Sequence, residues 1–153
     1  RILKPKLVIE TGVDHGVGSC VLTSALLRNK QEGFKGSYLG TDNNINAGKL
    51  LKEPYASIGK IIYGDSINSL MNIKDPIDIF INDSDHSSEY EFQEYLTIEE
   101  RISPNSVILG DNSHVTSCLS KFSKRTNRNF LFFKEIPKNH WYPGGGIGIS
   151  FKK

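Results

Sequence analysis

Short apolar runs alternate along the chain with longer stretches in which apolar and polar residues mix at helical spacing. Leu7, Val8 and Ile9 form the first run, and Lys6–Thr11 reads as a strand followed by a helix over Ser19–Lys30. Gly33 and Gly36 break the chain before a second strand, Ser37–Asp42. A helix is predicted over Ile45–Glu53, stopped by Pro54, then a strand at Lys60–Tyr63 and a short helix after Asp65. Ile77–Asn82 is a continuous apolar run of the kind buried on both faces. A helix over Ser88–Arg101 follows, with Pro104 marking its exit, then a strand at Ser106–Gly110 and a helix over Val115–Lys124. Two closing strands, Asn129–Glu135 and Gly146–Phe151, complete the pattern. Strands alternating with helices predict a mostly parallel sheet with helices on both faces, here as one domain over residues 1–153.

In such sheets ligands bind beyond the carboxyl ends of the strands, at the point where strand order reverses. The residues at those ends are therefore the ones to read. They are Glu10-Thr11-Gly12, Asp42-Asn43-Asn44, Gly64-Asp65-Ser66, Asp83-Ser84-Asp85-His86 and Asp111-Asn112-Ser113-His114. An acid closes each of the first five strands, and carboxylates gathered on one edge raise one another's pKa unless something cationic sits among them.

Composition narrows the partners. The formal net charge of +2 over 153 residues is too small to argue for nucleic acid, and the densest basic run, Lys121–Arg128, reads as a solvated helix end. Cys20 and Cys118 lie far apart without metal spacing and read as buried, reduced thiols. No apolar run is long enough to span a membrane, and a cytoplasmic location is the expectation. The first strand begins within a few residues of Arg1, so either an N-terminal part precedes it or the protein is a minimal one.

The first strand end carries the most specific signal. Gly12, Gly16 and Gly18 form a G-x-x-x-G-x-G turn between strand and helix. Such a turn lets a ligand lie close to the backbone. The spacing differs from the G-x-G-x-x-G of dinucleotide binders, which steers the reading from NAD toward S-adenosylmethionine. Asp42, about twenty residues after the turn, suits a ribose, with Asn43 beside it. Gly64, Asp65 and Ser66 can reach an adenine edge. Asp42 and Asp65 also read as helix caps. Glu10 suits a cationic or hydroxyl-bearing group, with Thr11 next to it. His15 points either at a methionine carboxylate or to solvent, and Ser19 either binds that carboxylate or caps the helix.

Asp83, Asp85, Asp111 and Asn112 form a second group. Asp83, Asp111 and Asn112 offer the oxygen set that Mg²⁺ or another hard divalent cation takes, able to hold two substrate oxygens. His86 is the candidate base, and a loop histidine bonded to Asp83 or Asp85 is its plainer reading. His114 reads as a pocket residue or a cap. The loop His140–Gly146 reads as a hairpin with Trp141 packed on the sheet edge, or as a lid or dimer contact.

Laid out in this way, the chain resembles a class I S-adenosylmethionine-dependent methyltransferase from the IETGVDHGVGS turn to the closing GGGIGISF strand. DIFINDSDHSSEY followed by ILGDN resembles the metal-dependent O-methyltransferases of the catechol and caffeoyl-CoA kind. The D-x-D-H form resembles the macrolide-sugar O-methyltransferases. The resemblance implies a Rossmann-like, doubly wound, three-layer α/β/α fold, with a seven-stranded, mostly parallel sheet and a C-terminal antiparallel strand. It implies Asp83, Asp111 and Asn112 as metal ligands and His86 as general base. It implies Gly12, Gly16, Asp42 and Asp65 in the cofactor site, and a small hydroxylated acceptor. Asp85-His86 stands where catechol-type enzymes often carry a lysine, while Asp111-Asn112 is the catechol-type form, so the chain combines two subfamilies. The rival readings are an NAD-dependent oxidoreductase and a non-catalytic or partner-requiring cofactor-binding module.

Overall fold

The computed structural model of the chain describes residues 1–152. Its seven strands are β1 (Leu7–Thr11), β2 (Ser37–Asp42), β3 (Gly59–Tyr63), β4 (Ile77–Asn82), β5 (Ile102–Gly110), β6 (Asn129–Lys134) and β7 (Gly146–Phe151). They form one sheet in the order β3-β2-β1-β4-β5-β7-β6. The first five are parallel, and β7 runs antiparallel to both β5 and β6. Strand order reverses between β1 and β4, so their carboxyl ends diverge there into a crevice.

Four helices connect the strands: α1 (Val17–Gln31), α2 (Ser66–Met71), α3 (Ser88–Ile98) and α4 (Cys118–Arg125). The larger core lies between the sheet and α2, α3 and α4, built from Ile9, Leu39, Leu70, Phe80, Tyr95, Ile108 and Phe122. A smaller core of Val8, Leu26 and Tyr38 lies under α1 on the other face. Strand alternation carries that second face across Ile79, Ile81, Val107, Leu109, Ile147 and Ile149, all only half-buried, to exposed Leu131 and Phe133 on β6. The two faces of the sheet are thus unequally covered.

Three expectations are corrected. The predicted helix over Ile45–Glu53 is a string of turns. Asn44 donates its N–H to Asp42 Oδ1 (2.8 Å), and Asn46 donates to Asn44 Oδ1 (3.0 Å), so side chains satisfy the backbone in place of a helical ladder. Gly48, at φ +70, then turns the segment against the first glycine turn, donating to the Asp14 carbonyl at 2.6 Å. The predicted helix over Val115–Lys124 starts three residues later, as α4, after a separate 3-10 turn at Asp111–His114. Pro104 does not end a helix. The α3 region passes through a 3-10 turn, Glu99–Arg101, into β5, and Pro104 lies where the β4–β5 register shifts between Ile77↔Ile102 and Ile79↔Val107. A residue without an N–H is tolerated where ladder pairing lapses.

Candidate active site

A cleft of about 740 Å³ opens at the reversal point, lined by residues from all the strand ends from β1 to β4. Of the residues singled out in the sequence, Gly12, Asp42, Asn43, Gly64, Asp65, Ser66 and Asp83 stand in its wall, together with Asp14, Thr41, Asn44, Ser84, Asp85 and Tyr90. Gly12 is forced to be glycine twice over. Its φ is +82, and a Cβ there would lie 1.8 Å from the Asp83 carbonyl oxygen. The ends of β1 and β4 therefore meet backbone to backbone at the cleft floor. Gly16, at φ +92, caps α1 and packs on Gly48, outside the cleft wall.

The cleft acids hold fixed positions. Asp42 Oδ2 accepts N–H bonds from Val13 (3.0 Å) and Asp14 (2.9 Å), so the carboxylate of β2 clamps the glycine turn that follows β1. Asp65 caps α2 by accepting from the Asn68 N–H (2.7 Å), and its second oxygen accepts from the Tyr90 hydroxyl (2.8 Å). Each carboxylate keeps acceptor capacity toward the cleft, since two oxygens offer about four lone-pair sites. Thr41 brings a buried hydroxyl that has no partner within the protein. An acid-lined wall with spare acceptors suits hydroxyls, an amine and a sulfonium cation, and repels a pyrophosphate.

Besides Gly16, four more of the anticipated cofactor-site residues lie outside the cleft wall. Glu10 is buried beneath α1, where it accepts from the Tyr38 and Ser19 hydroxyls; burial pushes its carboxyl up, against the pull of those two bonds. Ser19 is committed to the same cluster, 2.7 Å from the Tyr38 oxygen, and neither caps α1 nor faces the cleft. Thr11 points to the opposite face and donates to Glu94 Oε2 (3.3 Å). His15 is exposed, with Nδ1 3.7 Å from Asp14 Oδ1, and only its carbonyl is engaged, by the Leu50 N–H. Tyr90, Thr41 and Glu94 were not anticipated.

Beside the cleft, the ends of β4 and β5 bring Asp83, Asp111 and Asn112 together. Asp83 is open to solvent on one side but crowded by protein on the other. Desolvation first, then the charges of Asp111 and Glu10, push its carboxyl up to about 6. Asn112 is buried, its Nδ2 donating to the Asp85 carbonyl (3.1 Å) and its Oδ1 left without a partner. Two neighbouring carboxylates and, on the next residue, an amide oxygen without a partner have the chemistry of a hard-cation donor set. Among the described residues, no group of three or more His, Cys, Asp or Glu side chains is placed to hold a metal ion. The third oxygen here is an amide. His86 is exposed in the loop after β4, near enough to Asp83 and Asp85 for its positive charge to favour their ionised forms. His114 caps nothing; its Nδ1 lies 2.9 Å from the Asp111 carbonyl.

The β6–β7 hairpin stands at the same edge, since Gly110, just before Asp111, pairs with Gly148 of β7. Trp141 is 88% exposed, which corrects the expectation that it packs on the sheet; its neighbours are His140 (5.5 Å between ring centroids) and Tyr142 (6.1 Å).

Comparison with known proteins accords with this geometry. The family described as a methyltransferase domain matches residues 9–113, from the middle of β1 to the turn after β5. No curated protein sequence matches the chain. Among solved structures, the O-methyltransferase TomG of Streptomyces achromogenes, involved in tomaymycin synthesis and in complex with S-adenosylmethionine, superposes with a TM-score of 0.72 at 13% identity. That match covers 99% of this chain and 75% of TomG. An O-methyltransferase from Bacillus cereus, in complex with S-adenosylhomocysteine, gives 0.67 at 14% identity, covering 99% and 76%. An rRNA methylase from Streptococcus thermophilus gives 0.68 at 13% identity, covering 97% and 87%. No helix is long and apolar enough to cross a membrane among the described residues. The chain belongs to the methyltransferase-domain family, and its fold is the Rossmann-like one of the solved methyltransferases it superposes on.

Proposed function

We propose that this methyltransferase moves the methyl group to an oxygen of a small hydroxylated acceptor, with a divalent cation beside the cleft. The observation that carries the reading is the meeting of two donor sets at one edge. Asp42, Asp65 and the Gly12 backbone line the cleft, and Asp83, Asp111 and the unpartnered Asn112 Oδ1 adjoin it. The O-methyltransferases from Streptomyces achromogenes and Bacillus cereus support an oxygen acceptor. In this reading Asp42 takes the ribose hydroxyls and Asp65 the adenine amine, while the Gly12 turn lets the methionine part lie against backbone. Asp83, Asp111 and Asn112 would hold Mg²⁺, which supplies charge stabilisation to a developing oxyanion. His86 accepts the acceptor's hydroxyl proton, the oxygen attacks the methyl carbon, and the carbon–sulfur bond breaks to leave neutral S-adenosylhomocysteine. Most of the acceleration comes from alignment, because a sulfonium is already a good leaving group.

The test is calorimetric titration with S-adenosylhomocysteine, with and without Mg²⁺, on the wild type and Asp83→Ala. The reading expects micromolar binding of the product and a Mg²⁺ heat that Asp83→Ala removes. Cofactor binding with no Mg²⁺ heat, even in the presence of a turned-over acceptor, would overturn the metal assignment alone.

A further inference from the structure

Glu94 is wholly buried on α3, and among the described residues no cation pairs with it. Four donors from three separate elements converge on its carboxylate. Oε2 accepts from Thr11 Oγ1 (3.3 Å), Ser84 Oγ (2.8 Å) and Asn82 Nδ2, and Oε1 accepts from Ser66 Oγ. Burial raises its pKa against the pull of these bonds. Each donor belongs to the cleft wall or adjoins it in sequence: Thr11 precedes Gly12, Asn82 and Ser84 flank Asp83, and Ser66 follows Asp65. One turn earlier on the same helix, the Tyr90 hydroxyl holds Asp65 (2.8 Å) and stands 2.9 Å from Ser66 Oγ. The network therefore runs beneath the cleft from the Asp65 end to the Asp83 end.

We infer that Glu94 is a positioning residue that sets the spacing between the two ends of the cofactor cleft, resting on the reading of that cleft as the S-adenosylmethionine site. A carboxylate with only acceptor atoms can draw four donors to one point, and burial strengthens each bond. Glutamine keeps the shape but removes the charge and replaces one of the two acceptor oxygens by an amide donor, so the four donors can no longer all be satisfied as they stand. Glu91 provides the control. It is equally buried on α3, but it accepts from Tyr95 (3.0 Å) and Thr116 (2.6 Å), toward α4 and away from the cleft.

The experiment measures S-adenosylhomocysteine affinity by calorimetry and melting temperature without ligand for wild type, Glu94→Gln and Glu91→Gln. The expected result is an affinity loss of about tenfold or more in Glu94→Gln, with Glu91→Gln binding as wild type even where it melts as low. Wild-type affinity in Glu94→Gln, or equal losses in both variants, would reduce Glu94 to a structural group and overturn the inference. Should Glu94→Gln not fold, Thr11→Val removes one donor outside the cleft wall. A threefold affinity loss at unchanged melting temperature then supports the inference, and unchanged affinity overturns it. Absence of binding in the wild type would instead remove the cleft reading, and the inference with it.

Discussion

The two halves of the strand-end edge use their acids in opposite ways. On the β1–β2–β3 side, Asp42 and Asp65 are held by backbone N–H groups and, for Asp65, by Tyr90. Their charge is spent partly on building the wall they belong to. On the β4–β5 side, Asp111 adds to the electrostatic cost of Asp83 rather than relieving it, and the buried Asn112 Oδ1 has no partner among the described residues. The first half is preorganised by its own chain. In the second, burial and the neighbouring charge of Asp111 disfavour the ionised form of Asp83, the kind of electrostatic cost that clusters at functional sites.

The sharpest way to break this contrast is at the point where the halves touch. Gly12→Ala puts a Cβ into the Asp83 carbonyl at a left-handed backbone position, so neither strand end can relax without the other. We expect a loss of about 4 kcal/mol, roughly 10 °C in melting temperature, with cofactor binding abolished. A variant that melts within 2 °C of wild type, by calorimetric scan, would mean the floor is soft.

Asp42→Ala removes the acceptor for Val13, Asp14 and Asn44 at once. A loss of about 2 kcal/mol is expected, together with about tenfold weaker S-adenosylhomocysteine binding. Asp111→Ala should do the reverse on stability, leaving the melting temperature unchanged or slightly raised because Asp83 loses a like charge. Cofactor affinity should stay near wild type, while turnover falls by more than about 100-fold if the proposed metal site is the one used. Equal loss of cofactor affinity in both variants would erase the division between the halves.

The sheet was legible because each strand is a compact apolar run ending in a polar turn, and strand ends locate a crevice by topology alone. Orientation was not legible. Glu10 and Gly12 lie two residues apart, yet Glu10 turns under α1 to meet Tyr38, a partner 28 positions away that no local pattern announces. The segment after Asp42 has apolar residues at helical spacing, but the turns closed by the Asp42 and Asn44 side chains, with Gly48, override them. Glu94 was missed because an acid within a helix ordinarily reads as solvated. A signal was present: Glu91, Glu94, Tyr95 and Ile98 form one stripe at spacings of three and four, and acids on such a stripe must be buried with partners. Asp83, Asp111 and Asn112 could be grouped from sequence because they follow adjacent parallel strands, where register leaves little freedom.

The smallest expected effect belongs to the β6–β7 hairpin at the outer end of the second half. Trp141 is nearly fully exposed and its ring contacts are with His140 and Tyr142, residues of the same loop. Trp141→Ala therefore removes little buried area, and a change within about 0.5 kcal/mol is expected, near 1 °C by thermal melt. Cofactor affinity should be unchanged, because none of these rings lines the cleft. A loss of several degrees would mean that the ring is covered in solution. If that loss vanished on dilution, the cover would be a second copy of the chain, since only an association between molecules makes stability depend on concentration.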